Sequence, residues 1–305
     1  MDFVNTLKSN SVLVIASAAS VVAIFVQIML GAVTRLMGAG LSCPDWPLCY
    51  GLWIPLPSSL SALPNVDYTY AQILMEWAHR ANAAVVLAPL VCWMTFVSWK
   101  FRRDDPVCWW LGAFALLLLL VQSGVGGFTV FDSNSPWSVS VHLTLASLLL
   151  ATTVSILKAA RFAGVAFFGQ AAVIPIALSL VVLVTIISGA LVAKTGSALA
   201  CGGWPLCNGS LLPELDDDGQ VLNFVHRVLA LVSVLGIVLG AFYIRALRHS
   251  AMLSAIQVLM GLLVIWGYDV GAFGPHMIVG TLHQLFALVI FASLIWASWR
   301  PTEGR

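Results

Sequence analysis

Charged residues are scarce in this sequence: only 9% of its 305 residues are Asp, Glu, Lys or Arg, against about 25% in soluble domains. The 14 Lys and Arg nearly balance the 13 Asp and Glu, so no basic field is present to attract nucleic acid. Intrinsic disorder is excluded, because 60% of the residues are hydrophobic and the chain contains 12 Trp, 5 Tyr and 15 Phe. These properties therefore indicate a membrane protein.

Long apolar runs recur along the whole chain. A transmembrane helix needs about 20 mostly apolar residues. The runs are continuous and do not alternate as barrel strands would, which favours helices. We count eight runs, at residues 11–36, 71–99, 107–130, 137–158, 170–193, 221–245, 251–270 and 275–299. The sequence therefore predicts an all-α, polytopic membrane protein with eight transmembrane helices.

The loops between the predicted spans alternate in charge. Lys and Arg collect on one side, at positions 8, 100–103, 158–161, 245–248 and 300–305, whereas the opposite loops carry Asp and Glu. Because cytoplasmic loops are enriched in Lys and Arg, we expect both termini in the cytoplasm and the two long loops, about 37–70 and 194–220, outside. The first residues do not resemble a transit peptide, so we expect a bacterial or archaeal cytoplasmic membrane.

The chain contains an internal duplication. The outer loops carry Cys-Pro-Asp-Trp-Pro-Leu-Cys at 43–49 and Cys-Gly-Gly-Trp-Pro-Leu-Cys at 201–207. Each loop precedes a span with a His-Arg pair, and a later span of each half carries one more histidine. We therefore predict two tandem, parallel four-helix bundles, residues 1–165 and 166–305, related by an axis along the membrane normal.

Four histidines fall at one depth, because the spans that carry them all enter from the outer face. At 1.5 Å per residue they lie on the order of 8–13 Å below the outer boundary; they are His79, His142, His226 and His283. Ionisable residues inside a span usually mark function. Two per bundle suggest a bis-imidazole metal site, and haem iron needs only two axial ligands.

Other occupants of these sites are weaker candidates. Zinc prefers more ligands than two histidines, and a single intramembrane histidine could instead hydrogen-bond to a neighbouring helix. The sequence contains no Cys-x-x-Cys-His motif, so a haem would be held without thioether links.

Basic residues lie near the proposed ligands. Arg80 and Arg227 directly follow His79 and His226. A guanidinium at that depth needs an anion, and haem propionates match its fork geometry. Two more candidates, Arg35 and Lys194, stand at the outer ends of spans one and five, where they could equally snorkel to the lipid headgroups.

The two halves differ at one position that matters for chemistry. Glu76 lies three residues before His79 and so on the same helix face, whereas Asn223 takes that position before His226. A carboxylate in an apolar site can act as a proton acceptor, and an amide cannot. The first half is therefore predicted to carry the chemistry. The alternative is that Glu76 only pairs with Arg80.

The paired cysteines lie on the predicted oxidising side. We expect Cys43–Cys49 and Cys201–Cys207 to form disulfides that staple the two outer loops. A redox-active pair that passes electrons is the alternative, because exposed disulfides in small rings tend to be labile.

These motifs together resemble the haem A synthase family. The resemblance rests on Gly-Ala-Val-Thr-Arg at 31–35, the first cysteine loop, Glu76-x-x-His79-Arg80, the second cysteine loop, His226-Arg227 and His283. It covers essentially the whole chain, and the ordered set is more specific than any one motif. It implies oxidation of a porphyrin methyl of haem O to a formyl group, which gives haem A for haem-copper terminal oxidases.

The resemblance also assigns roles to residues. His79 and His142 would ligate the iron of the substrate haem O, and Glu76 would be the catalytic carboxylate. His226 and His283 would ligate a permanent haem b. A haem O synthase would donate the substrate. The electron partner, the path of the farnesyl tail and the oligomeric state, a homo-oligomer included, are left open.

Two other functions compete with this interpretation. A diheme b cytochrome that only moves electrons would not need Glu76, and its haems would normally lie at two depths. A thiol-oxidising membrane enzyme would explain the cysteine loops but would leave four intramembrane histidines without a role.

Overall fold

The computed structural model describes residues 2–162, 165–166, 172–269 and 273–301, with side-chain environments at 11–162, 172–267 and 277–299. The chain divides into two compact units, Met1–Ala163 and Gly164–Arg305. Some residues used above to predict the fold lie outside these described ranges. They are residues 170, 171 and 270 at the ends of predicted spans and the side chains of Lys8, Arg300 and Arg305.

The first unit is built around its N-terminal helix. α1 contacts α3, α4 and α6, and α5 packs against α4 and α6. The elements in order are α1 (Asp2–Leu36), α2 (Pro57–Leu60), α3 (Tyr70–Asn82), a π-helical turn (Ala83–Leu87), α4 (Ala88–Lys100), α5 (Pro106–Phe131) and α6 (Pro136–Arg161). The π-helical turn joins α3 and α4 into one span.

The second unit has the same order of long helices. α7 contacts α8 and α10, and α9 packs against α8 and α10. Its helices are α7 (Val173–Lys194), α8 (Asp218–Tyr243), α9 (Arg248–Asp269) and α10 (Phe273–Ser298), with 3-10 turns at Ser197–Leu199 and Arg245–Leu247. A two-residue antiparallel pair joins β1 (Val165–Ala166) to β2 (Arg300–Pro301).

The helices begin where the sequence offers a cap. The side chain of Asp105 accepts a hydrogen bond from the amide of Cys108 at 2.9 Å, and Pro106 follows it as the first helical residue. The hydroxyl of Ser135 accepts from the amide of Ser138 at 3.2 Å, also just before a proline. α3 begins with a reciprocal capping box between Thr69 and Gln72.

Within the described ranges, eight helices are long and apolar enough to cross a membrane. They are Ser11–Leu36, Tyr70–Lys100, Pro106–Phe131, Pro136–Arg161, Val173–Lys194, Asp218–Tyr243, Arg245–Gly267 and Met277–Ser298. Each coincides with one predicted run, so the predicted all-α fold with eight spans is confirmed. The chain is a polytopic helical membrane protein.

Small polar side chains inside the spans bond to their own helix. The hydroxyls of Ser17, Ser20 and Thr153 donate to carbonyls one turn earlier at 2.7, 2.9 and 2.8 Å, and all three residues are fully buried. Such residues let helices pack closely without leaving a polar group unsatisfied in an apolar interior. The spans are therefore held together by close packing.

The charge pattern of the loops predicts which side of the membrane each loop faces. In a protein with Cys92 and Cys108 replaced by alanine, Ser58→Cys should react with a membrane-impermeant maleimide in intact cells. Asp104→Cys should react only after permeabilisation, because its loop is rich in Lys and Arg. Both positions are exposed. The reverse labelling pattern would contradict cytoplasmic termini.

Candidate functional site

Both outer loops close on themselves in the same way. Cys43 and Cys49 form a disulfide with an S–S distance of 2.03 Å, and Cys201 and Cys207 form one of 2.00 Å. In each loop the second cysteine forms two backbone hydrogen bonds of 2.9–3.0 Å with the residue three positions later, Cys49 with Leu52 and Cys207 with Ser210. Both predicted disulfides are present in the structure.

The first loop is fastened to α3 by Arg80. Its guanidinium donates to three carbonyl oxygens of the loop: Asp45, Leu48 at 2.6 Å and Cys43 at 3.0 Å. The side chain is 13% exposed. A guanidinium has five donors and no acceptor, so a cluster of backbone carbonyls can satisfy it without an anion. We call this arrangement the arginine clamp.

The second loop has the same arginine clamp. The guanidinium of Arg227 donates to Gly203 at 2.9 Å, Leu206 at 3.3 Å and Cys201 at 2.7 Å. When the two cysteine loops are aligned, these three carbonyls are the counterparts of those bound by Arg80. The internal duplication therefore extends from the sequence to individual hydrogen bonds.

Glu76 is buried, with 4% of its surface exposed, and both of its oxygens are engaged. Oε1 pairs with Nη2 of Arg80 at 2.5 Å. Oε2 accepts from the hydroxyl of Ser42 at 3.0 Å and from the amide of Cys43 at 2.9 Å. The carboxylate is thus fixed between α3 and the first loop, one helical turn from His79.

The equivalent position in the second unit makes different contacts. Asn223 is also buried, and its amide nitrogen donates to the carbonyls of Ser197 at 2.7 Å and Ala198 at 2.9 Å. Its Oδ1 has no hydrogen-bond partner. Ala200 replaces the hydroxyl-bearing Ser42. Both the carboxylate and its serine partner are therefore particular to the first unit.

The second unit shows what the arginine clamp requires. Among the described residues, no carboxylate lies within ion-pair distance of Arg227. Its guanidinium nevertheless binds the three loop carbonyls equivalent to those bound by Arg80. A carboxylate is therefore not needed to hold an arginine in this loop. Pairing with Arg80 alone does not explain Glu76, although the structure shows that the pair exists.

The two histidines of the first unit face each other. The ring centroids of His79, on α3, and His142, on α6, are 6.5 Å apart, and the ring planes differ by 69°. A metal–imidazole bond of about 2 Å, with the nitrogen about 1 Å from its ring centroid, would place the centroids of two ligands about 6 Å apart. The observed separation therefore fits two imidazoles on one metal.

Each of the four histidines is seated against a glycine of the preceding span. A Cβ added at that glycine would lie within 2.8–3.2 Å of the histidine Cε1, closer than carbon atoms normally approach. The pairs are Gly31 with His79, Gly126 with His142, Gly189 with His226, and Gly261 with His283. These glycines let the imidazole approach the neighbouring backbone, so they determine where each ring lies.

Three glutamines stand one turn before three of these glycines. Gln122 Nε2 lies 3.3 Å from Nε2 of His142, and Gln257 Nε2 lies 3.3 Å from Nε2 of His283. In both pairs the glutamine Oε1 and the histidine Nδ1 are buried without a partner. Gln27 takes the same place beside His79.

The fourth histidine has a hydroxyl instead. Thr185 stands where the other three spans have glutamine, and the hydroxyl of Ser188 lies 2.9 Å from Nδ1 of His226. The sequence analysis missed these side chains. A sequence pattern could have indicated them, because spans one, three, five and seven each contain a Gln or Thr four residues before a Gly.

The geometry of the first unit fits a haem iron with two imidazole ligands. The unpartnered imidazole and carboxamide atoms are groups that a ligand would reorganise. Among the described residues, no three His, Cys, Asp or Glu side chains cluster as a metal site.

The structure also locates the residues predicted to bind propionates. Arg35 and Lys194 are half-buried in the last turns of α1 and α7. Arg80 and Arg227 lie beside the histidines but contact loop carbonyls. Propionate binding by these four residues stays a prediction, to which the structure adds a loop-anchoring role for the two arginines.

The clamps predict unequal effects of two matched substitutions. Arg80→Leu should destabilise the protein by about 3–5 kcal/mol, because it also leaves the Glu76 carboxylate buried without its partner. Arg227→Leu should cost less, about 1–3 kcal/mol, since it removes only hydrogen bonds. Thermal unfolding of the purified proteins would measure both effects.

The double variant Glu76→Gln/Arg80→Leu is the control for this prediction. It should recover part of the stability that Arg80→Leu loses. Alkylation after mild reduction should also show faster exposure of Cys43 and Cys49 in Arg80→Leu, with Cys201 and Cys207 unchanged. Equal losses in both single variants, without recovery in the double variant, would contradict the coupling.

Comparisons with known proteins agree with the geometry. A sequence model of the COX15-CtaA family, described as cytochrome oxidase assembly protein, matches residues 14–295. Similar proteins include the haem A synthase of Shouchella clausii, 26% identical over 90% of this chain and 92% of its own length. Those of Staphylococcus epidermidis (27%; 91% and 91%) and Erythrobacter litoralis (27%; 89% and 91%) match similarly. The chain therefore belongs to the COX15-CtaA family, and these haem A synthases are similar to it along nearly their whole length.

Proposed function

We propose that this protein is an oxidoreductase that converts haem O to haem A by oxidising a porphyrin methyl group to a formyl group. The observation that carries the proposal is the first unit's combination of two facing imidazoles with a buried carboxylate one turn from His79. Similarity to haem A synthases supports chemistry in haem A biosynthesis. The internal repeat indicates which half carries it.

The reaction needs a proton acceptor and an electron acceptor. With water as the oxygen source it is R–CH₃ + H₂O → R–CHO + 4 H⁺ + 4 e⁻. His79 and His142 would hold the substrate through its iron, and Glu76 is the carboxylate nearest to these ligands along the helix. Arg80 and the amide of Cys43 fix the orientation of that carboxylate. We assign Glu76 the role of accepting protons from the reacting centre.

The second unit would hold the electron-transfer cofactor. His226 and His283 would hold haem b, which would supply one-electron transfer when bound. Asn223, in place of a carboxylate, cannot accept a proton, so this unit lacks the acid–base group. Arg35, Arg80, Arg227 and Lys194 are the candidates for propionate contacts. An electron partner outside this chain completes the circuit.

The membrane environment determines how substrate arrives. We place the protein in a bacterial or archaeal cytoplasmic membrane, with both disulfide loops on the outer face and both termini in the cytoplasm. Haem O carries an isoprenoid tail and is itself a lipid-soluble substrate. A haem O synthase in the same bilayer would therefore be its donor.

The two competing functions explain fewer observations. A cytochrome that only relays electrons needs no Glu76, and the clamp of Arg227 shows that the fold does not require the carboxylate either. A thiol-oxidising enzyme would not account for four histidines that are each seated on a glycine. Two equivalent arginine clamps around the disulfides favour a structural role for both loops.

Haem analysis of cells tests the proposed reaction. Cells that express the wild-type protein with a haem O synthase should yield haem A by mass spectrometry. Glu76→Gln should fold and keep haem b, but accumulate haem O or its alcohol with little haem A, because removing an acid–base group costs about 10²–10⁴ in rate. Extracts with only haems b and O from wild-type cells would refute the function.

A matched variant separates catalysis from anchoring in this experiment. Ser42→Ala removes one hydrogen bond to Glu76 but keeps the carboxylate and its pair with Arg80. It should retain most haem A formation, and Asn223→Glu should not create a second active site. Haem A at the wild-type rate in Glu76→Gln would show that the carboxylate is only structural.

The two haem sites should be separable by mutation. His226→Ala and His283→Ala should each remove the stable b-type absorbance, because either change removes one of the two residues that would hold haem b. His79→Ala and His142→Ala should leave that absorbance largely intact in the purified protein. Loss of the b-type spectrum in a first-unit variant would show that the two halves are assigned the wrong way round.

A further inference from the structure

A neutral imidazole has one N–H and one lone pair. When a histidine binds a metal through Nε2, its proton must be on Nδ1 and the group beside Nδ1 should accept a hydrogen bond. The groups that surround each ring therefore determine how ready that histidine is to bind iron. The four histidines of this protein differ in this respect.

His226 is held ready for a metal. The hydroxyl of Ser188 has a single hydrogen, which it donates to the carbonyl of Thr185 at 2.8 Å. In that arrangement the hydroxyl oxygen is free to accept a hydrogen bond from Nδ1 of His226, which lies 2.9 Å away. The proton is then on Nδ1, and the lone pair of Nε2 is available.

His142 and His283 can reach the same state by a small change. Their glutamines present the amide nitrogen to Nε2, but the amide oxygens of Gln122 and Gln257 have no partner and neither do the two Nδ1 atoms. Reorientation of each carboxamide toward Nδ1–H would satisfy both unpartnered atoms and release Nε2. Nothing in these two pairs holds the carboxamide in place.

His79 is the exception, because its glutamine is fixed. The Oε1 of Gln27 accepts from the amide of Asn82 at 2.7 Å, so the carboxamide turns its nitrogen toward the ring. That nitrogen lies 3.1 Å from Nδ1 and 3.2 Å from Nε2, and also donates to the His79 carbonyl at 3.1 Å. Donation to Nδ1 requires the proton on Nε2, and donation to Nε2 occupies its lone pair. Either contact competes with iron.

We propose that Gln27, oriented by Asn82, is a positioning residue that makes His79 the exchangeable ligand of the first unit. The inference rests on the proposed function, in which the first unit's haem is substrate and must enter and leave. The second unit has Ser188 at the equivalent histidine, which suits a haem that stays. The hydrogen-bond partners of the histidines would thereby distinguish the substrate site from the cofactor site.

The rate of haem loss tests this inference without measuring turnover. Protein purified from cells that make haem O would be mixed with excess apomyoglobin, and the haem that depends on His79 would be followed by absorbance. Gln27→Leu should slow its departure by about five-fold, the effect of one hydrogen bond. Electron paramagnetic resonance should show a larger low-spin fraction, as expected for a tighter second imidazole.

Two further variants keep the test decisive if Gln27→Leu fails to fold. Asn82→Ala releases the Gln27 oxygen, which can then accept from Nδ1–H, so haem loss should slow as well. Gln122→Leu removes the equivalent glutamine at His142, where no asparagine orients it, and haem loss should become faster or stay the same. Slower loss in Gln122→Leu too would indicate a general packing effect and overturn the inference.

The outcomes separate this inference from the proposed function. If His79→Ala purified from cells that make haem O yields as much extractable haem O by mass spectrometry as the wild type, the first unit holds no substrate haem through His79 and the proposed function fails. If a haem that depends on His79 is present but leaves Gln27→Leu and Asn82→Ala at the wild-type rate, only the role of Gln27 is refuted.

Discussion

A guanidinium carries five hydrogen-bond donors and no acceptor, and the two outer loops are held by satisfying these donors with backbone carbonyls. In each unit an arginine that follows the first histidine binds three loop carbonyls, and a disulfide closes the same loop. The loop is thereby tied to the helix that carries the histidine. Because Arg80 and Arg227 adjoin the proposed ligands in the chain, one interaction sets the positions of loop and ligand together.

The repeat also acts as an internal control for the active site. The arginine clamps and the glycine seats are shared by both units, so they do not explain how the units would differ in chemistry. A residue that differs between the two units is not needed for the fold that they share. Glu76 with Ser42 in one unit, against Asn223 with Ala200 in the other, is such a case. This contrast supports the chemical role of Glu76 more strongly than its burial does.

The sequence predicted the spans well and the surroundings of the site less well. Spans are set by composition over about 20 residues, which is visible in one sequence. The pairing of Cys43 with Cys49 was also local. By contrast, the contact of Gln27 with His79 joins residues 52 positions apart, and the partners of Arg80 lie 32–37 positions away. Such contacts depend on how helices pack, so the sequence indicated propionates for Arg80 and did not indicate the loop.

The four histidines show why a set of equivalent ligands need not bind equally. Each imidazole lies against a glycine, but the second group beside each ring differs. At His226 it is a hydroxyl that can accept a hydrogen bond, and at His142 and His283 it is a carboxamide that nothing else holds. At His79 it is a carboxamide that Asn82 orients as a donor. A resident cofactor requires ligands that hold the metal, whereas a substrate requires one that can let it go. The duplicated scaffold can supply both by changing only a few residues around the glycine and the histidine, because those residues set the hydrogen-bond partners of the imidazole.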